Sequence, residues 1–362
     1  MKRCVVHFGM HKTGSSSIQH SFWRQLDTPE WKYLDIDENL ANHSRVISTL
    51  LEENPRHLQR VGINQNRLAK KKEAAEQALL KQLDTDARNL IISAEVLCSS
   101  AIGTDALQKF RDLLLSRVDE ILAVGYVRSP KSYMESAFQE KTKRSNPLLD
   151  FSHNNLYPKY RKELRKFDEV FGKDNVQLWK FDPATFTNGC VVQDFCTRLG
   201  IDFPVTAIKR ANDSFSREAL AFIYTYHKYG PGFSAGGTTA IRGKGNDLLN
   251  SRIATLRGSK IRFSWAAVEQ RLEARQADID WVERRMGASF NEPHIDEGPV
   301  IHSENDLFQY RPQDLQWLAE QLGLDYVARW NPQMPPQEVA DWMHALRLKL
   351  VAENEALTES NA

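Results

Sequence analysis

The chain has 362 residues, 41% of them hydrophobic and 26% charged. That much apolar material excludes wholesale disorder and bounds the chain to about two ordinary domains, or one large α/β domain with extra elements. The 48 Lys and Arg residues stand against 47 Asp and Glu, so the basic excess of a general nucleic-acid binder is absent, while a local basic pocket for a small polyanion stays open.

Apolar runs fall short of the roughly 20 residues needed to span a bilayer. The basic start Met1-Lys2-Arg3 is followed only by Cys4-Val5-Val6 and Phe8 before Gly9, less than the about 7–15 apolar residues of a signal peptide. The expected location is therefore cytoplasmic. Cys4, Cys98, Cys190 and Cys196 form no CxxC pair and have no His at zinc spacing. They are expected to be reduced, buried thiols, and no metal is required.

Residues 3–8 read as a short buried strand, followed by a glycine-bearing turn and a helix over about 15–26. Residues 89–93, 121–127 and 176–181 read as further buried strands. Helical segments are expected between them, near 67–83, 105–117, 131–144 and 156–170, with another at 194–199 ended by Gly200. Strands alternating with helices predict a parallel sheet covered by helices on both faces. After a helix at 216–229, Gly230–Gly245 carries six of the 18 glycines. This predicts a flexible insert, 230–247, of the kind that serves as a lid or stays unstructured. Its Arg242 and Lys244 would make such a lid basic. One long amphipathic helix is expected at about 264–286. Helices near 312–322 and 336–354 follow, separated by Asn331-Pro332 and Pro335-Pro336. The expected organisation is one domain over 1–290 and a helical C-terminal extension over 291–362. Trp317, Leu318, Leu322, Trp330, Trp342, Met343 and Leu346 of that extension would pack back onto the domain, or form a homo-oligomer interface.

The segment Gly9-Met10-His11-Lys12-Thr13-Gly14-Ser15-Ser16-Ser17 joins the first strand to the first helix. Gly9 and Gly14 have the spacing of a phosphate-binding P-loop, but Ser15 follows Gly14 and the lysine sits inside the loop at Lys12. Glycines still allow close approach, and the helix start still offers N–H groups and a positive dipole end to an anion. The usual arrangement for a Mg-nucleotide γ-phosphate is missing, which argues against an ordinary ATPase or GTPase.

This loop resembles the 5′-phosphosulfate loop of the PAPS-dependent sulfotransferases, most of all their bacterial carbohydrate-type branch. The resemblance implies that Lys12, Thr13, Gly14, Ser15, Ser16 and Ser17 hold the 5′-phosphate of 3′-phosphoadenosine 5′-phosphosulfate, with Lys12 at the bridging oxygen. It also implies a distant pair for the 3′-phosphate: an Arg ending a strand and a Ser eight positions on. Gly125-Tyr126-Val127-Arg128-Ser129-Pro130 through Ser136 supplies both, with Arg128 at the strand end and Ser136 about two turns along the following helix. Glu169-Val170-Phe171-Gly172, Asp194-Phe195 and the stretch from Asn212 to Ser216 extend the resemblance more weakly. The C-terminal tail has no counterpart.

Sulfuryl transfer also needs a group to take the acceptor's proton, and the resemblance implies a His or a Glu. Glu95, just after the strand at 89–93, is the leading candidate and His43 the second. His11 and Asp35 are weaker ones. The expected activity is transfer from PAPS to a hydroxyl or amine, with a carbohydrate or glycolipid as acceptor. A P-loop kinase using ATP and a non-catalytic nucleotide-binding module are the alternatives.

Overall fold

The computed structural model describes residues 1–53, 55–59, 62, 64–143, 156–210, 214–231, 245–292, 294, 296, 298–325 and 334–360. In chain order the elements are β1 (Arg3–His7), α1 (Ser15–Phe22), β2 (Trp31–Tyr33), α2 (Ser44–Leu51), α3 (Arg56–Gln59), α4 (Gln65–Leu83), β3 (Asn89–Ser93), a 3₁₀ turn (Glu95–Cys98), α5 (Thr104–Leu115) and β4 (Glu120–Val127). Then come α6 (Pro130–Lys143), α7 (Tyr160–Phe171), β5 (Val176–Lys180), α8 (Val191–Leu199), α9 (Arg217–Tyr229), α10 (Asn246–Ile253), α11 (Trp265–Glu273), α12 (Gln276–Met286) and α13 (Pro312–Leu322). The chain closes on a helix at Pro336–Ser360.

Two compact units divide the chain. The first contains Met1–Ser129, Lys159–Ala211 and Gln276–Asn291, and the second Pro130–Pro158, Asn212–Arg275 and Glu292–Ala362.

The first unit is α/β. Its five strands lie in the order β2-β3-β1-β4-β5, and every pairing is parallel. The apolar runs Cys-Val-Val and Leu-Ile-Ile are what strands buried on both faces require. Side chains alternate across the sheet. Val5, Ile91, Val124 and Tyr126 join a core with Ile18 and Phe22 of α1 and Val192 and Phe195 of α8. On the opposite face the Phe8 ring stacks on Phe167 of α7, with centroids 3.9 Å apart. The order reverses at β1, whose neighbours are β3 on one side and β4 on the other, and such a reversal opens a crevice at the strands' carboxyl ends.

The short helices α2, α3 and α10 go beyond the regular elements expected from the sequence, whereas β2 falls where Trp31–Leu34 reads as strand-like. Three residues give β2 little periodic signal of its own. Helix α1 stops at Phe22 rather than near residue 26. Arg24 adopts a left-handed backbone with φ of 58°, and Asp35 accepts from both Trp23 Nε1 and Arg24 Nε at 3.0 Å, so the chain turns there toward β2.

In the second unit α9 is buried over residues 217–227. The helix Pro336–Ser360 packs along it, and Tyr226 Oη lies 3.0 Å from His344 Nδ1. Leu318, Trp342, Met343 and Leu346 of the tail are buried, while Trp330 lies outside the described residues, as do Arg242 and Lys244 of the insert. The single helix expected over 264–286 is corrected to two, α11 and α12, separated at Ala274 and Arg275. The apolar period runs through this break, so neither a Gly nor a Pro announces it. No described helix is long and apolar enough to cross a membrane.

Gly125 shows how tightly the sheet is closed. A Cβ there would lie 2.1 Å from the Phe8 ring. Gly125→Ala is expected to cost about 1–3 kcal/mol or more through overpacking, read as a lower denaturant midpoint. Combined with Phe8→Leu, the loss should be less than additive, because the clash partner has shrunk.

Candidate functional site

The loop after β1 reaches the crevice at the strands' carboxyl ends. Three of its residues have positive φ: Gly9 at 63°, Lys12 at 70° and Gly14 at 78°. Thr13 Oγ1 donates to Met10 O at 2.7 Å and closes the loop on itself. Space as well as backbone requires both glycines. A Cβ on Gly14 would lie 2.7 Å from Val191 Cγ1, and one on Gly9 would lie 3.0 Å from both Glu95 Cγ and Ser15 Oγ.

Helix α1 begins at Ser15 without a side-chain cap. Its ladder starts with Ser17 and Ile18 N–H donating to Gly14 O, so the amides of Ser15 and Ser16 stand ahead of it. Ser15 is buried and its Oγ has no hydrogen-bond partner, a costly condition for a hydroxyl unless a ligand satisfies it. Ser16 is exposed and Ser17 half-buried.

Arg128 follows β4, the strand beside β1. Its Nη1 donates to Lys12 O at 2.9 Å, and its guanidinium carbon lies 5.6 Å from the Phe181 ring centroid. Tyr160 Oη donates to the Arg128 carbonyl at 2.6 Å. The structure therefore brings Lys12 and Arg128 together. Ser136 lies half-buried on α6, in the second unit.

Glu95 opens the 3₁₀ turn after β3, over Gly9. Its Oε2 accepts from Asn42 Nδ2 at 3.2 Å, and its Oε1 lies 3.9 Å from His11 Nδ1, with side-chain exposures of 17% for Glu95 and 55% for His11. Asn42 was not anticipated as a site residue. The signal for it is the run Asn-His-Ser before α2: Asn42 Oδ1 accepts from Ser44 N at 2.8 Å, which fixes its amide. The backbone after Glu95 is held from behind. Lys166, whose burial lowers its pKa, donates from Nζ to the carbonyls of Ser99 and Ile102 at 2.8 Å each.

His43 is placed differently from Glu95. It is buried, its Nδ1 accepts from Ser93 N at 3.1 Å, and its Nε2 donates to Leu34 O at 2.8 Å. Both ring nitrogens are thus committed to backbone groups, and burial pushes its pKa down to about 4. Asp35 is similarly committed, to Trp23 and Arg24. Beneath the loop, His7 Nδ1 lies 2.8 Å from Ser93 Oγ, Gln19 Nε2 donates to the same oxygen at 3.0 Å, and burial lowers the His7 pKa to about 3. Among the described residues, no group of three or more His, Cys, Asp or Glu is arranged to hold a metal ion.

No family model matches the chain. An uncharacterized protein of Archaeoglobus fulgidus is 26% identical over 115 residues, which are 32% of this chain and 31% of that protein. The chain thus matches less than a third of that relative's length. Among solved structures, a sulfotransferase from Alicyclobacillus acidocaldarius is similar with a TM-score of 0.33 and 15% identity, over 62% of this chain and 91% of that one.

The two buried imidazoles make stability pH-dependent with a definite sign. The unfolded chain takes up protons below about 6.5, the ordinary histidine value, whereas folded His43 and His7 stay neutral down to about 4 and 3. Their contribution is complete above pH 6.5 and is lost as pH falls toward 4. Thermal unfolding should show a falling Tm across this window, and a shallower slope in His43→Gln, which removes one of the groups.

Proposed function

We propose that this chain is a sulfotransferase that uses PAPS as donor and a hydroxyl or amine as acceptor. The observation that carries the reading is the bond from Arg128 Nη1 to Lys12 O, which ties together two anion-binding motifs 116 residues apart. Both belong to the carboxyl edge of one parallel sheet. The carbohydrate or glycolipid class of the acceptor rests on the sequence resemblance.

The residues present fit the donor. Gly9 and Gly14 let the loop backbone lie close against Glu95 and Val191, where a Cβ would collide, and among the described residues the buried Ser15 hydroxyl has no hydrogen-bond partner. The amides of Ser15 and Ser16 face an anion with the positive end of α1 behind them. Lys12, Thr13, Gly14, Ser15, Ser16 and Ser17 would hold the 5′-phosphate and Arg128 the 3′-phosphate. Ser136, which the resemblance assigns to that same phosphate, belongs to the second unit, and Ser136→Ala tests its part.

When bound, the donor supplies a sulfuryl group and a phosphate leaving oxygen. Glu95 takes the acceptor's proton as the acceptor oxygen or nitrogen bonds to sulfur. Its carboxylate is oriented by Asn42. Lys12 balances the negative charge that collects on the leaving oxygen, where a fixed cation in a sheltered site acts strongly. His43, with both nitrogens committed, serves instead to fasten α2 to β3.

Calorimetry with 3′,5′-bisphosphoadenosine should give saturable binding without magnesium. Lys12→Ala and Arg128→Ala should each weaken it about tenfold or more, as loss of a charge-assisted bond implies. Binding of ATP alone, with magnesium, would favour a kinase instead. With labelled PAPS and a panel of saccharides, Glu95→Gln should lower turnover about 10²-fold or more at unchanged bisphosphate affinity. Near-normal turnover would remove Glu95 as the base.

A further inference from the structure

Asn42, His43 and Ser44, at the entry to α2, lie along residues 93–96 and are hydrogen-bonded to them throughout. His43 N–H donates to Ser93 O, and Ser93 N–H donates to His43 Nδ1, both at 3.1 Å. Val96 N–H donates to Ser44 Oγ at 3.2 Å, and Asn42 Nδ2 donates to Glu95 Oε2 at 3.2 Å. Glu95 is therefore held through the backbone on either side of it and through its own carboxylate.

The bond from Asn42 has a fixed sense. Asn42 Oδ1 accepts from Ser44 N at 2.8 Å, so the amide turns its NH2 group, and not its oxygen, to Glu95. Such a donor favours the ionised carboxylate and occupies Oε2. Oε1 makes no hydrogen bond among the described residues and stands 3.9 Å from His11 Nδ1. The other titratable groups that act on Glu95 are Tyr33 of β2 and Cys98 of its own turn. Burial raises the pKa of both and keeps them neutral.

We propose that Asn42 and Ser44 are positioning residues that reserve Oε1 of Glu95 for the acceptor's proton. On the sulfotransferase reading from which this follows, the acceptor oxygen or nitrogen bonds to sulfur as the bond from sulfur to the phosphate oxygen breaks. The acceptor's proton passes to Oε1, while Oε2 stays an acceptor to Asn42. Ser44 acts at one remove, by fixing the Val96 amide next in the turn.

Isotope labelling of glutamate carboxyls lets NMR follow Glu95 through a pH titration of the full chain. Asn42→Ala removes a bond to the ionised form, so the carboxyl should hold its proton about threefold or more tightly. Asn42→Asp keeps the acceptor for the Ser44 amide and should move the titration further the same way, which supplies the reading should Asn42→Ala unfold. Turnover is measured as transfer from labelled PAPS to water and to glucosamine, which offers hydroxyls and an amine. Asn42→Ala and Ser44→Ala should each lower it about tenfold or more at unchanged affinity for 3′,5′-bisphosphoadenosine. Ser44→Thr should restore it, and in a Glu95→Gln background neither loss should recur. The acid limb of the pH–rate profile should move with the titration in Asn42→Ala, a shift that a fault confined to folding does not produce. A Glu95 titration unmoved by both Asn42 variants overturns the proposal, as do equal losses of turnover in the Glu95→Gln background. Failure of the bisphosphate to bind the unaltered chain overturns the sulfotransferase reading and with it the catalytic use of Oε1, whereas the titration, which needs no donor, still decides the hold of Asn42 on Glu95.

Discussion

The hydrogen bond from Arg128 to the carbonyl of Lys12 is the contact on which the site depends. A lysine held at positive φ costs about 1–2 kcal/mol relative to an ordinary helical or extended backbone. That conformation turns the Lys12 carbonyl toward the end of β4, where a guanidinium meets it. Arg128 is itself fixed, by Tyr160 at its carbonyl and by Phe181 beside its side chain. The loop's shape is thus set by the pairing of β1 with β4, and the cation proposed to meet an anion also braces the backbone beside it.

The opposite side of the loop is braced by β3. Gly9 has to be a glycine because Glu95 lies against it, so the close turn of the loop also brings a carboxylate beside it. Beneath, Ser93 gathers His7, Gln19 and His43 into a buried polar cluster. Its contacts tie β1, α1 and α2 to β3, while His7 Nε2 is left without a partner among the described residues. Here the register of β1 against β3 decides where Gly9 and Glu95 meet.

Much of this arrangement is legible in the amino-acid sequence because strands and glycine turns are local patterns. Cys-Val-Val and Leu-Ile-Ile announce buried strands, and Gly9 through Ser17 announces a tight strand-to-helix turn. What the sequence hides is long-range. Asn42 matters because it folds back 53 residues from Glu95, and no spacing rule reports that. His43 has the ordinary credentials of a base, yet its nitrogens are taken by the carbonyl of Leu34 and the amide of Ser93, groups whose proximity only tertiary packing creates. The break between α11 and α12 is hidden for the same reason. The apolar period continues through Ala274 and Arg275 while the chain passes from one compact unit to the other.

The four cysteines carry a consequence of a different kind. All are reduced and buried, with Cys4 inside β1, Cys98 donating to the Gly9 carbonyl at 3.5 Å, and Cys190 and Cys196 in the core shared by α1 and α8. Burial pushes the Cys4 and Cys196 thiols up to about 12, so the reactive thiolate is scarce at neutral pH. A thiol-specific dye therefore meets little reactive sulfur until the sheet or its helical covers open. The chain carries its own gauge of local unfolding, with one marker at the central strand, one under the loop and two in the helical layer.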